Sequence, residues 1–281
     1  MVGRIPWADL PKELLERIAK SLDTEIDVSR FRAVCNSWRS STTPFNKFPR
    51  TPLKLPFPFG PGETSHPKHR GAYFNLTERT VCRVQLIKSK EPTFWLVKVE
   101  SSGEGKLRVL NPVSDHQIKI LPEFRVPKVL NTSDFHVSEV CKAYTLRYVN
   151  PSKAKQNDDY KYAKKVVVSA DIEKDKYVVM AIDDGNKLWY IRSSEEKWTM
   201  ARREYDNKFL DVVNYKGQFN AIDVWGGTWT FDSSFEVTKI TFNIYHGASK
   251  RHLLELYEGE LFLIEEVTDK NLRVCTCYDI Y

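Results

Sequence analysis

Residues 181–196 align without a gap on residues 221–236 at an offset of 40, with Ala181/Ala221, Ile182/Ile222, Asp183/Asp223, Trp189/Trp229, Ser193/Ser233, Ser194/Ser234 and Glu196/Glu236 identical. Around this repeat, runs of β-branched and aromatic residues read as strands over 93–99, 135–140, 144–149, 166–169, 177–182, 187–192, 219–224, 228–231, 237–242, 261–267 and 273–278. Turn signals such as Ser102-Gly103, Asp183-Asp184-Gly185-Asn186 and Gly226-Gly227 separate them. Strand starts near Phe94, Phe135, Val178, Phe219 and Leu261 recur about every 42 residues. Several short strands in a repeat of that length are the sign of a β-propeller blade. A meandering sandwich with coincidental spacing is the alternative.

The chain does not begin this way. Between Trp7 and Ser41 the apolar period is helical, not strand-like. Leu10, Leu14, Leu15, Ile18, Ala19 and Leu22 line one face of a helix expected from Leu10 to Leu22, opposite Lys12, Glu13, Glu16, Arg17 and Lys20. Asp9 is placed to cap it, Pro11 falls in the first turn where a missing N–H costs nothing, and Glu13 complements the helix dipole. Asp27 then opens a second expected helix with Val28, Phe31, Val34, Cys35 and Trp38 as its apolar positions. So short a pair has too little interior for a core of its own. Its surplus apolar surface faces either the rest of the chain or a partner.

Between hook and body, residues 42–70 hold seven of the fourteen prolines, at 44, 49, 52, 56, 58, 61 and 67. Such a run excludes helix interior and favours extended or turn backbone. It divides a helical region, 1–41, from a β-rich body, 71–281, as a semi-rigid linker. Leu53, Leu55, Phe57 and Phe59 alternate within it, which lets part of it lie against the body.

The order Leu10-Pro11-x-x-Leu14-Leu15-x-x-Ile18, followed by Val34-Cys35-x-x-Trp38-Arg39, resembles the F-box motif. That resemblance implies an adaptor role: F-box helices bind a Skp-type adaptor, which joins them to a cullin and so to a ubiquitin-conjugating enzyme. It assigns Leu10, Pro11, Leu14, Leu15, Ile18, Val34 and Trp38 to the adaptor contact or its support. Anchors at i, i+3, i+4 and i+7 suit helix-in-groove recognition. In the body, segments 211–223, 227–229 and 251–264 resemble a large plant F-box family whose C-terminal half is regarded as a KIB-type β-propeller. The resemblance is weak from 71 to 175. Members of that family continue past the strand matching 274–281. The blade count is therefore lower than the spacing implies, or the start of the body supplies closing strands, or this product is shortened.

Composition narrows the function further. Hydrophobic residues at 41% and aromatic residues at 12% of 281 suffice for a sizeable core. The N-terminus lacks a signal-peptide pattern, and no window has the apolar length of a membrane helix, so neither secretion nor membrane insertion is expected. Five scattered cysteines, at 35, 82, 141, 275 and 277, fit a reducing compartment, and they read as core or surface thiols rather than metal ligands. Two sequons, at Asn75 and Asn131, would then stay unused. A net charge of +6 invites a nucleic-acid reading, but the basic residues are interleaved with 37 acidic ones, and even the dense 153–165 segment includes Asp158 and Asp159. Six scattered histidines and the lack of nucleophile-elbow, phosphate-loop or zinc-helix motifs argue against intrinsic catalysis. Asp183-Asp184 reads as turn chemistry, and the repeated Asp183/Asp223 and Trp189/Trp229 as blade structure.

The sequence thus describes an α+β multidomain chain: a small N-terminal helical F-box, then an all-β, propeller-like (kelch-type) body, complete or incomplete. The expected function is substrate recognition in an SCF-type ubiquitin ligase, in nucleus or cytoplasm, with no cofactor, metal or catalytic residue of its own. A non-catalytic propeller scaffold outside any ligase is the alternative. A nucleic-acid-binding regulator is a more distant one.

Overall fold

The computed structural model describes residues 7–22, 24–44, 49, 51–59, 69–87, 94–101, 107–118, 135–152, 162–171, 174–201, 208–240, 250–255, 259–269 and 272–279, with the side chains of 8 and 266–279 excepted. The chain divides into two compact units, one of residues 1–48 and 79–142, the other of 49–78 and 143–281. These units cut across the boundaries expected from composition.

In the first unit, a 3-10 turn (Trp7–Asp9) leads into helix α1 (Lys12–Lys20). Its start is two residues later than expected. Asp9 lies in the turn, and Pro11 holds the cap position, with its carbonyl accepting the N–H groups of Leu14 and Leu15. Helix α2 (Glu25–Ala33) also departs from expectation. Thr24 is its cap, accepting the Asp27 N–H while its hydroxyl donates to the Asp27 carboxylate at 2.7 Å. Asp27 is therefore the residue bonded by the cap in the first turn rather than the cap itself. Cys35 is extended, at φ −162° and ψ 178°, so the chain breaks and restarts as α3 (Asn36–Ser40). Arg32 closes this corner by donating to the carbonyls of Arg39 and Thr42, and Arg39 Nε returns a bond to the Arg32 carbonyl.

The proline-rich stretch is not simply a spacer. Strand β1 (Leu53–Pro56) pairs antiparallel with the start of β2 (Tyr73–Leu86), and Leu55 and Phe57 are buried. An edge position accommodates Pro56, which has no N–H to offer a ladder. Phe59 packs against Phe74, Trp189 and Trp198, and the Trp198 indole donates to the Pro56 carbonyl at 2.8 Å. The alternating apolar residues therefore belong to the core of the second unit. Residues 60–68 lie outside the described residues.

The far half of β2 pairs with β3 (Phe94–Ser101), which pairs with β4 (Leu107–Leu110). Strand β5 (Phe135–Val149) also pairs with β2. The two strands expected at 135–140 and 144–149 are thus one. The beats at Phe94 and Phe135 fall within a single sheet and do not mark successive blades.

From Tyr162 onward the blade rhythm is regular. A four-stranded sheet comprises β6 (Ala163–Asp171), β7 (Lys176–Asp183), β8 (Leu188–Arg192) and β9 (Thr199–Met200). The next comprises β10 (Phe209–Tyr215), β11 (Gln218–Asp223), β12 (Thr228–Phe231) and β13 (Val237–Lys239). A third comprises β14 (Lys250–Glu255), β15 (Leu261–Asp269) and β16 (Leu272–Asp279). Among the described residues no pairing joins this last sheet to the first.

The sequence repeat reappears as geometry. Ala181 pairs with Trp189 as Ala221 does with Trp229. Asp183 accepts the Lys187 N–H at 2.7 Å and the Trp189 indole N–H at 2.8 Å. Asp223 accepts the Gly227 and Trp225 N–H groups and the Trp229 indole, each at 2.8 Å. Each carboxylate thus fastens a turn to its own blade. On β15 the corresponding place holds Glu265, fully buried, paired with Arg251 Nε at 2.5 Å. Strand β7 is covered on both faces: Val179 and Ala181 enter a core with Leu55, Phe74 and Trp189, while Met180 and Ile182 enter one with Phe209, Phe219 and Trp229. Its unbroken apolar run follows from that double burial.

Candidate functional site

The apolar face of the helical hook is built by α1 and the residues that flank it. Leu15 is wholly buried and Val28 and Phe31 nearly so, and these form the inner side of the hook. Trp38 completes it: its ring centroid lies 4.6 Å from that of Phe31, and its indole donates to the Trp7 carbonyl at 3.0 Å.

The seven expected contact residues divide into two groups. Leu15 is interior, and Leu10 and Trp38 are half-buried. Pro11, Leu14, Ile18 and Val34 are exposed, the last three by 43%, 38% and 55%. Pro11, Leu14 and Ile18 stand three and four residues apart and so share one face of α1. Trp7, 58% exposed, is a further candidate that sequence reasoning missed. Its signal was an aromatic residue directly before the Asp9-Leu10-Pro11 start. The polar side of the helix carries an exposed Lys12–Glu16 pair at 3.6 Å. An exposed apolar stripe of this kind is of the chemistry that suits docking rather than catalysis.

A cleft of about 310 Å³ on the same unit is lined by Glu25, Val28, Ser29, Arg32, Ala33, Arg39 and Pro44. Both its arginines already bond backbone carbonyls. Among the described residues no group of three His, Cys, Asp or Glu side chains stands where it could hold a metal ion. Burial, and secondarily Glu139, push the Cys82 thiol upward, which disfavours its thiolate. Cys35 is half-buried and Cys141 exposed, while the side chains of Cys275 and Cys277 lie outside the described residues.

In the body, the group of titratable side chains around Asp211 is structural. Asp211 on β10 meets Lys165 of β6 at 3.0 Å, His252 of β14 at 3.7 Å and the Leu253 N–H at 3.0 Å. Burial alone would raise its pKa. The His252 ring, the Lys165 ammonium and the Leu253 N–H outweigh that and hold the carboxyl below the usual range. One carboxylate therefore joins three successive sheets. Asp184, next to Asp183, is exposed in the turn. His69 bonds the Tyr148 hydroxyl at 2.8 Å. His116 and His136 are exposed, and His66 and His246 lie outside the described residues.

Comparison with known proteins adds the following. Residues 65–278 match the KIB1-4 beta-propeller family, and residues 7–49 match the F-box domain. The chain is similar to F-box protein SKIP23 of Arabidopsis thaliana, with 32% identity over 271 residues covering 93% of this chain and 64% of that protein. It is likewise similar to F-box protein At2g17036 of the same plant, with 29% identity over 268 residues covering 92% and 64%. It thus spans less than two thirds of the length of these two relatives. Among solved structures, that of BBS1N in complex with ARL6DN, soaked with mercury, aligns with a TM-score of 0.30 and 9% identity over 70% of this chain and 53% of that one, too low to carry an argument.

Proposed function

Since the chain belongs to the plant F-box proteins that carry a KIB1-4 β-propeller, we propose that it is a substrate-recognition subunit of an SCF-type ubiquitin ligase. The observation that carries this reading is the exposed stripe of Pro11, Leu14 and Ile18 on α1, inside the F-box match. The hook takes a Skp-type adaptor and, through it, a cullin; the body holds a target protein. The chain acts by proximity, raising the effective concentration of target lysines near the charged conjugating enzyme. Chemistry belongs to the assembled ligase and not to this subunit, which works in nucleus or cytoplasm.

Leu10, Leu15 and Trp38 support the contact from inside, whereas Pro11, Leu14, Ile18 and Val34 make it, with Trp7 beside them. The test is co-purification of the full chain with a Skp-type adaptor. Leu14→Asp/Ile18→Asp places charge on the stripe without entering the core. It should reduce adaptor affinity at least about 100-fold while leaving the melting curve unchanged. Adaptor binding that survives this double change would sink the assignment of the surface. Failure of the folded wild type to bind any Skp-type adaptor would sink the ligase reading and favour a scaffold.

A further inference from the structure

The two edges of the blade body differ in charge. The turns at one edge, which include 193–198, 216–217 and 232–236 with the ends of β14 and β15, carry Glu195, Glu196, Asp232, Glu236, Glu255 and Glu260, outnumbering their lysines and Arg192. The edge formed by the β7–β8 and β11–β12 turns is opposite in sign. Among the described residues of that edge, Lys164, Lys187 and Lys208 are exposed, against one exposed acid, Asp184. Lys165 is drawn to Asp211 and so does not alter the balance. In the midst of this edge Trp225 is 49% exposed.

The pieces of this edge are bonded to one another. Lys164 Nζ donates to the Asn186 side chain at 2.7 Å, the Phe209 N–H to the Asn186 carbonyl at 2.8 Å, and the Val224 N–H to the Lys208 carbonyl at 2.8 Å. Arg251 then donates to the Val224 carbonyl at 2.6 Å. Below them, the Asp183 and Asp223 carboxylates fix the two turns from inside. The lysines and the tryptophan therefore stand on a preorganised frame, and a partner meets it without an ordering cost on this side. An exposed indole at the middle of a patch is a common binding anchor, and a local excess of one charge steers and selects the opposite one.

We infer that the edge bearing Lys164, Lys187, Lys208 and Trp225 docks an acidic peptide segment that sets an apolar side chain against the indole. This rests on the proposed target-recognition role of the body and specifies the chemistry of what it recognises. An acidic segment is favoured over nucleic acid because the cations sit on short turns around one indole, with no further exposed aromatic among the described residues of that edge on which successive bases could stack.

The test is fluorescence anisotropy of a labelled peptide of alternating Glu and Leu with the full chain. The same peptide with Lys for Glu and an oligouridylate serve as controls. The acidic peptide should bind, more weakly as NaCl rises from about 0.05 to 0.5 M. Lys187→Glu/Lys208→Glu should weaken it about tenfold or more, and Trp225→Ala should also weaken it. Lys197→Glu/Lys216→Glu, on the other edge, should leave it unchanged. Absence of binding, equal loss in the other-edge variant, or tighter binding of the oligouridylate would each overturn the inference. Adaptor co-purification, run on the same variants, separates the two readings: it should be intact in every one of them, and its failure with peptide binding preserved would count against the ligase role alone.

Discussion

Leu14, Ile18 and Val34 of the hook stand between 38% and 55% exposed, whereas Val179, Met180, Ala181 and Ile182 of β7 are all wholly buried. Both groups are apolar, and all but Val34, which follows α2, lie in regular structure. What differs is the number of sides from which each element is covered. Strand β7 lies between two apolar cores; the hook has only enough interior for Leu15, Val28 and Phe31. A short helical segment that cannot bury its surplus leaves it exposed, while a strand covered on both faces leaves only the adjoining turns exposed.

This contrast is open to direct attack. Leu15→Ala should cost about 3 kcal/mol of the hook's stability, whereas Leu14→Ala should stay within about 0.5 kcal/mol, as read by hydrogen exchange of α1 amides. Equal losses would mean that the two leucines do not differ in burial as the structure shows.

In the body, Asp223→Ala leaves two backbone N–H groups and an indole without their acceptor and should cost about 2–3 kcal/mol in urea unfolding. Asp183→Ala removes one donor fewer and should cost less. The reverse order would count against the clamp as the blade's fastening.

Asp211 supplies a pH test. Its carboxyl is held below the ordinary range, so the unfolded chain binds its proton more readily. Its stabilisation is complete above the unfolded value of about 3.9 and is lost as pH falls through the lower folded value. Asp211→Asn should cost about 1–2 kcal/mol near neutral pH and flatten the acid limb of the stability curve. An unchanged acid limb would show that the three sheets do not depend on this carboxylate.

The smallest effect is expected at the β10–β11 hairpin. Tyr215 pairs with Gln218, and Lys216 and Gly217 both have positive φ, 48° and 80°, as a two-residue type I′ turn requires. Asn tolerates that region better than Lys, so Lys216→Asn should raise the melting temperature by about one to two degrees.

The features legible in the sequence share a physical cause: each is a local rule acting alone. Asp183 and Trp189 recur as Asp223 and Trp229 because each blade needs the same fastening, so the repeat was visible as identity. The F-box order was visible because two separated residue groups agree in spacing. Strand β2 was missed because charged and polar residues such as Glu78, Arg79 and Arg83 interrupt its apolar pattern. Arg79 in fact bonds Glu100 at 2.6 Å in the interior, a partner 21 residues away that no local rule supplies. The helix break at Cys35 was missed because the apolar spacing runs on past it. The prolines hid β1, whose alternation carried a signal that their reputation as breakers outweighed. The division of the seven hook residues into inner and outer followed only from their burial in the folded chain.

One consequence of β1 concerns the order in which the chain is made. Phe57 and Phe74 share a core with Trp189, which follows Phe74 by 115 residues, and between them comes the whole of 79–142, which belongs to the other unit. At a ribosomal rate of about 5–20 residues per second, these aromatic side chains wait on the order of ten seconds for the partners that cover them. During synthesis, therefore, Phe57 and Phe74 are a nascent-chain hazard that a holding chaperone would be well placed to relieve, although in the finished protein both are buried.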